Sequence, residues 1–168
     1  MPFKYTGSIP FGIGKVEWTP STKEREAAWA LYVEYSTRIT RVRRSEGPEK
    51  DFGSARLAMD SLYVLLNATR QVLREAGPAI AGKPASLGAI TIAVLNRSVR
   101  KLLDEFHLSL EAHEGNRSSD VSRIAHERKW AHYARFWEKM MWLQKGLQSY
   151  LKVLEVIAGV KLDAKKMQ

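Results

Sequence analysis

The sequence predicts an all-α fold, an antiparallel four-helix bundle with an extended N-terminal arm, on three observations. Apolar residues recur at helical spacing through most of the 168 residues. Helix start and stop signals punctuate those periodic segments, and the connections between them are short enough to make successive helices antiparallel neighbours. With 45% apolar and 27% charged residues, the chain can bury one continuous core and lacks the low-hydrophobicity pattern of disorder. The expected organisation is an arm over 1–18, a single helical unit over 19–160 and a basic tail over 161–168.

The arm places Gly7, Pro10, Gly12 and Gly14 among Phe3, Tyr5, Phe11 and Trp18, which suits extended backbone laid against the bundle by its aromatic residues. Lys15-Val16-Glu17-Trp18 alternates as one strand of a short hairpin would, although two strands alone are marginal. The first helix opens at Thr19-Pro20, with Ser21 and Glu24 as an overlapping capping box. Ala28, Tyr32, Tyr35, Ile39 and Val42 form its inward stripe, Glu34 and Arg38 are spaced for an ion pair, and Gly47-Pro48 ends it. The second helix runs from about Ser54 to Ala76 on Ala58, Leu62, Leu65, Thr69, Val72 and Ala76, widened by Met59, Leu66 and Leu73, and stops at Gly77-Pro78. After a linker over 79–85, Ser86 is expected to cap a third helix with the stripe Ile92, Leu95, Val99, Leu102, Phe106 and Leu110, closed by Gly115.

The fourth helix begins near Ser118 or Ser119 and continues to Ala158, before Gly159. Its seam reads Trp130, Tyr133, Trp137, Met140, Gln144, Leu147, Leu151, Leu154 and Ala158, heptad spacing with one polar residue. At about 40 residues it would span roughly 60 Å, against roughly 35 to 45 Å for the other three. It is therefore expected to project beyond the bundle or to bend, either at Gly146 or just before Trp130.

Several function classes fall away by inventory. The chain has no cysteine, which removes disulfides, zinc-thiolate sites, iron-sulfur clusters and thiol nucleophiles and fits a reducing cytoplasm. No apolar run approaches the roughly 20 residues of a membrane span, and the N-terminus builds no signal-peptide core. There is no phosphate-binding glycine loop, dinucleotide motif, nucleophile elbow or zinc-protease helix, so no cofactor is expected. A net charge of +9 favours acidic partners, whether nucleic acid or an acidic protein face.

The sharpest local feature is a repeated dipeptide, His113-Glu114 and His126-Glu127, on either side of the turn that begins at Gly115. Equal counting outward from that turn sets Glu114 beside Ser119, Glu111 near Arg123, and His107 beside His126. His107, Glu111 and His126 could then hold a metal ion or relay a proton, although the set falls short of a di-iron bundle's paired Glu-x-x-His motifs. Arg100 and His107 have the spacing of the Arg-His motif of HEPN-type ribonucleases, on one helical face, but Lys101 stands where that motif carries a small polar residue. The sequence therefore assigns no catalytic and no metal-binding residue, with Arg100, His107 and His126 nearest to the first role and His107, Glu111 and His126 nearest to the second. Phosphate or acidic-partner binding falls to Arg38, Arg41, Arg43, Arg44, Arg97, Arg100 and Lys101.

Taken together, Glu17-Trp18-Thr19-Pro20, the segment Ala27 to Glu34, Thr69-Arg70 with Leu73-Arg74, Val94-Leu95-Asn96, His107 and the two His-Glu pairs resemble an uncharacterised bacterial helical family associated with predicted signalling and antiviral conflict systems. The resemblance implies an accessory or sensor component beside an effector and transfers no catalytic residue. The expectation is a noncatalytic interaction module that binds a protein partner or itself through the projecting part of its fourth helix, with its surplus apolar stripe, and through the basic surface, with nucleic-acid binding as the alternative.

Overall fold

The computed structural model describes residues 2–38 and 53–161. The fold is mostly helical and carries one small antiparallel sheet, β1 (Tyr5–Ile9) paired with β2 (Gly14–Trp18), so the N-terminal arm is a hairpin. Tyr5 lies opposite Trp18 and Ile9 opposite Gly14. Such a pair would be marginal alone, and here Tyr5, Ile9 and Trp18 are buried in the same core as the helices.

Helix α1 (Thr22–Arg38) starts one step later than Thr19-Pro20 suggests, because the Ser21–Glu24 box is the working cap. The Ser21 amide donates to Glu24 Oε2 at 2.7 Å and the Glu24 amide donates to Ser21 Oγ at 3.2 Å. Its Ala28 and Tyr35 are buried, Tyr32 is half-buried, and Arg38 closes on Glu34 at 2.6 Å. Ile39, Val42 and the Gly47-Pro48 stop lie outside the described residues. Helix α2 (Ala55–Ala76) follows its predicted stripe closely, with Ser54 at the N-cap and Gly77 at positive φ past its end.

The expected third helix is two, α3 (Leu87–Arg97) and α4 (Val99–Gly115). At Ser98 the backbone leaves helical values (φ −122°, ψ −89°), and the fully buried hydroxyl donates back to the Val94 carbonyl. The break rotates the stripe. Ile92, assigned to the interior by periodicity, is 48% exposed, while Ile90 and Val94 are buried. Ser86 stands at the α3 N-cap, yet its hydroxyl donates to the Lys83 carbonyl; the Leu87 amide is satisfied by Glu24 of α1 at 2.9 Å.

The projecting fourth helix does not form. Residues 116–122 are turns and bends, α5 (Arg123–Glu127) is a short helix capped by Ser122, and α6 (Tyr133–Ala158) begins only after Trp130. The break thus falls at the earlier of the two expected positions, and α6 runs unbroken through Gly146. Its 26 residues span about 39 Å, close to the roughly 33 Å of α2. Trp130, Trp137, Met140, Gln144, Leu147 and Leu154 are all buried, so the seam has no uncovered surplus. Gly146 is a glycine for another reason. The Phe11 ring at the hairpin tip occupies the space a Cβ would need.

Two tyrosines occupy the centre of the core. Tyr35 and Tyr150 meet edge to face at 5.7 Å, with Tyr150 hydroxyl 2.7 Å from Thr91 Oγ1 and Tyr35 hydroxyl 3.4 Å from Thr69 Oγ1. Burial pushes the Tyr35 phenol up to about 12, and burial together with the neighbouring Tyr35 pushes Tyr150 up further. Among the described residues no helix is long and apolar enough to cross a membrane.

Candidate functional site

The two His-Glu pairs converge where α4 and α5 end and α2 starts. His113 and His126 stack with ring centroids 4.0 Å apart and planes 15° from parallel. Each Nε2 lies 2.7 Å from the backbone carbonyl of the other histidine. A carbonyl only accepts, so both Nε2 atoms carry hydrogen and donate. Neither Nε2 lone pair is left to bind a metal or take a proton.

The paired glutamates reach past the histidines to α2. Buried Glu127 accepts from the Ser54 hydroxyl at 3.0 Å, from the Ala55 amide in a short contact, and from the Arg56 amide at 3.2 Å. A carboxylate so placed satisfies first-turn amides that the helix cannot and meets the positive end of its dipole. Glu114 holds the Arg56 side chain through both oxygens, at 2.9 and 2.7 Å, and this pair keeps the guanidinium firmly protonated. Tyr133, at the first position of α6, donates to the Gly53 carbonyl at 3.1 Å. The repeated dipeptide is thus a clamp, its histidines joining α4 to α5 and its glutamates fastening both to the start of α2.

Equal counting from the turn therefore misjudged the register. Residues 116–122 do not rise as helix: the Arg117 guanidinium donates to the Val121 carbonyl at 2.6 Å and Ser118 bonds Asp120. The partner of His126 moves from His107 to His113, about 9 Å along α4. His107 instead meets Tyr63 edge to face at 5.5 Å, with its Nε2 3.7 Å from Glu111. The structure thus pairs Glu111 with His107 and Glu114 with Arg56, where counting placed them near Arg123 and Ser119. His107, Glu111 and His126 do not come together, and among the described residues no group of three His, Asp or Glu is placed to hold a metal.

Arg100, the other half of the ribonuclease-like spacing, pairs with Asp104 at 3.8 Å. Arg100, Asp104, His107 and Glu111 follow one another along one face of α4. Of the phosphate candidates, Arg38 is paired with Glu34, Arg97 donates to the Gly12 carbonyl at 3.0 Å, and Lys101 is exposed. Arg41, Arg43 and Arg44 lie outside the described residues.

Beside the clamp is a depression of about 600 Å³ whose lining includes Leu57, Arg117, Arg123 and Ile124. Leu57 is 68% and Ile124 48% exposed. Glu114 and Glu127, which also line it, are engaged by Arg56 and by the start of α2, whereas Arg123 makes no ion pair among the described residues. The depression therefore offers two uncovered aliphatic side chains beside two arginines, Arg117 and Arg123, that have no carboxylate partner among the described residues. Periodicity could not reveal it, because Ile124 and Arg123 sit on a helix of five residues. Compared with protein-family models, curated proteins and solved structures, the chain matches none of them.

Proposed function

We propose that the protein is a noncatalytic helical interaction module of the cytoplasm, an accessory or sensor component that docks an acidic, apolar-bearing segment of a protein partner over the clamp depression. One observation carries the reading: the two His-Glu pairs are engaged in joining α4, α5 and α2, and Arg100 and His107 in contacts with Asp104 and Glu111, while Leu57 and Ile124 stand uncovered beside Arg117 and Arg123. Exposed aliphatic side chains rimmed by unneutralised cations suit a segment that brings an apolar anchor and carboxylates together. The resemblance to bacterial conflict-system proteins supports the accessory role. Self-association through a projecting α6 is not part of this proposal, because its seam is covered.

Photo-crosslinking residues placed at Leu57 and at Ile124 in the native host test it. Both positions should yield the same adduct, absent from a probe at Leu108, which is 73% exposed on α4, and lost on Arg117→Glu with Arg123→Glu. Adducts that are equal at all three positions, or that survive the charge reversal, would exclude this surface as the docking site.

A further inference from the structure

We infer that the face carrying Trp142 binds single-stranded nucleic acid, the indole stacking on a base and Lys101 and Lys139 meeting the flanking phosphates, a function beyond docking a protein at the clamp. Trp142 is 51% exposed on α6 and Trp29 43% exposed on α1, where it stacks on Tyr32, while Trp18, Trp130 and Trp137 are buried. Trp130 and Trp137, which the heptad seam places inside, are core, and of the two exposed indoles it is Trp142 that stands beside lysines of a concave face.

The hairpin tip holds that ring in place. Phe11 meets Trp142 edge to face at 5.2 Å and fills the notch left by Gly146 one turn further along α6. Phe11 has a positive φ of 63°, which a non-glycine residue adopts at a cost, and the Arg97 guanidinium secures the tip through the Gly12 carbonyl at 3.0 Å. A mid-helix glycine and a left-handed aromatic residue are both unfavourable in isolation. Their joint effect is a rigid support for a half-exposed indole.

A depression of about 480 Å³ beside the ring is lined by Lys101, Leu102, Glu105, Arg135, Glu138 and Lys139 among others. Arg135 is neutralised by Glu105 at 2.6 Å, and Lys101 and Lys139 make no ion pair among the described residues. Two free ammonium groups thus share a concave site with one fixed aromatic ring, the combination that tracks a backbone and stacks a base without reading sequence. A duplex offers no unstacked base to a single ring, so an unpaired strand is favoured. The lining exposes no aliphatic side chain, with Leu102 3% exposed, so the apolar surface a ligand meets is the flat indole face, which suits a base. Glu138 is the one lining carboxylate with no ion pair among the described residues, and it opposes a phosphate.

Labelled oligo(dT), oligo(U), a duplex of the same length and polyglutamate, titrated against the full chain by fluorescence anisotropy, decide the matter. The single strands should bind in low salt, Trp142→Ala should weaken them about tenfold or more, and Trp142→Tyr should retain most of the affinity. Lys101→Gln with Lys139→Gln should flatten the salt slope by about 0.7 per lysine, and Glu138→Gln should tighten binding several-fold. Circular dichroism and melting of each variant confirm that it is folded. No binding of either single strand in low salt, affinity unchanged by Trp142→Ala in a folded variant, or equally strong binding of the duplex or polyglutamate would overturn the inference.

Discussion

Replacing Glu127 by alanine removes a buried carboxylate from the start of α2 and leaves three donors facing a void: the Ser54 hydroxyl and the Ala55 and Arg56 amides. Loss of a helix cap costs about 1 kcal/mol, and each buried donor left unpaired costs about 1 to 3 kcal/mol. Ser54 can turn to solvent or keep its own bond from the Leu57 amide, so the two backbone amides dominate. The sum is about 3 to 7 kcal/mol, which for a chain of this size lowers Tm by roughly 6 to 28 °C. Glu127→Gln keeps the shape and one accepting oxygen but turns an amide donor toward other donors, for about 2 kcal/mol. Glu111→Ala, at an exposed position of α4, should stay within about 0.5 kcal/mol. Denaturant unfolding of the three variants makes the comparison, and a double-mutant cycle with Ser54→Ala isolates the contact. A Glu127→Ala protein as stable as Glu111→Ala would refute the clamp, because a catalytic carboxylate can be removed without loss of stability and a capping one cannot.

Three further outcomes follow from other contacts. His113→Ala and His126→Ala should each cost about 1 to 3 kcal/mol, and the double variant should cost less than their sum, since either change alone removes the stack and strands a carbonyl; chemical denaturation of all three reads this. Gly146→Ala should destabilise by about 1 to 3 kcal/mol despite alanine's better helix propensity, and should shift Trp142 emission by expelling Phe11. Alkaline stability should be flat below about pH 10 and fall above it, because unfolded tyrosine ionises near 10 whereas Tyr35 holds its proton to about 12 and Tyr150 beyond that. Each phenol that is protonated folded and ionised unfolded contributes a slope of about 1.4 kcal/mol per pH unit. Tyrosinate absorbance should rise together with loss of helical circular dichroism, and Tyr150→Phe should reduce the slope by half.

What the sequence by itself determined is whatever depends on neighbours along the chain. The helical class, the Ser21–Glu24 cap, the α2 stripe, the Glu34–Arg38 pair and the Gly77 and Gly159 terminators rest on residues within about two turns of one another, and each was legible. The break before Trp130 was also visible as a change of pattern. Tertiary structure decided everything set by partners distant in sequence. Gly146 is held open by a ring from the hairpin, and Glu24 and Glu127 satisfy amides 63 and 72 residues away. The histidine register shifted for a reason local to the loop. Counting outward from a turn holds only while both arms rise as helix, and the rise stops where side chains of the loop bond its own carbonyls. Local propensity is a sum over adjacent residues, whereas the satisfaction of a buried donor depends on which acceptor the folded chain brings within about 3 Å.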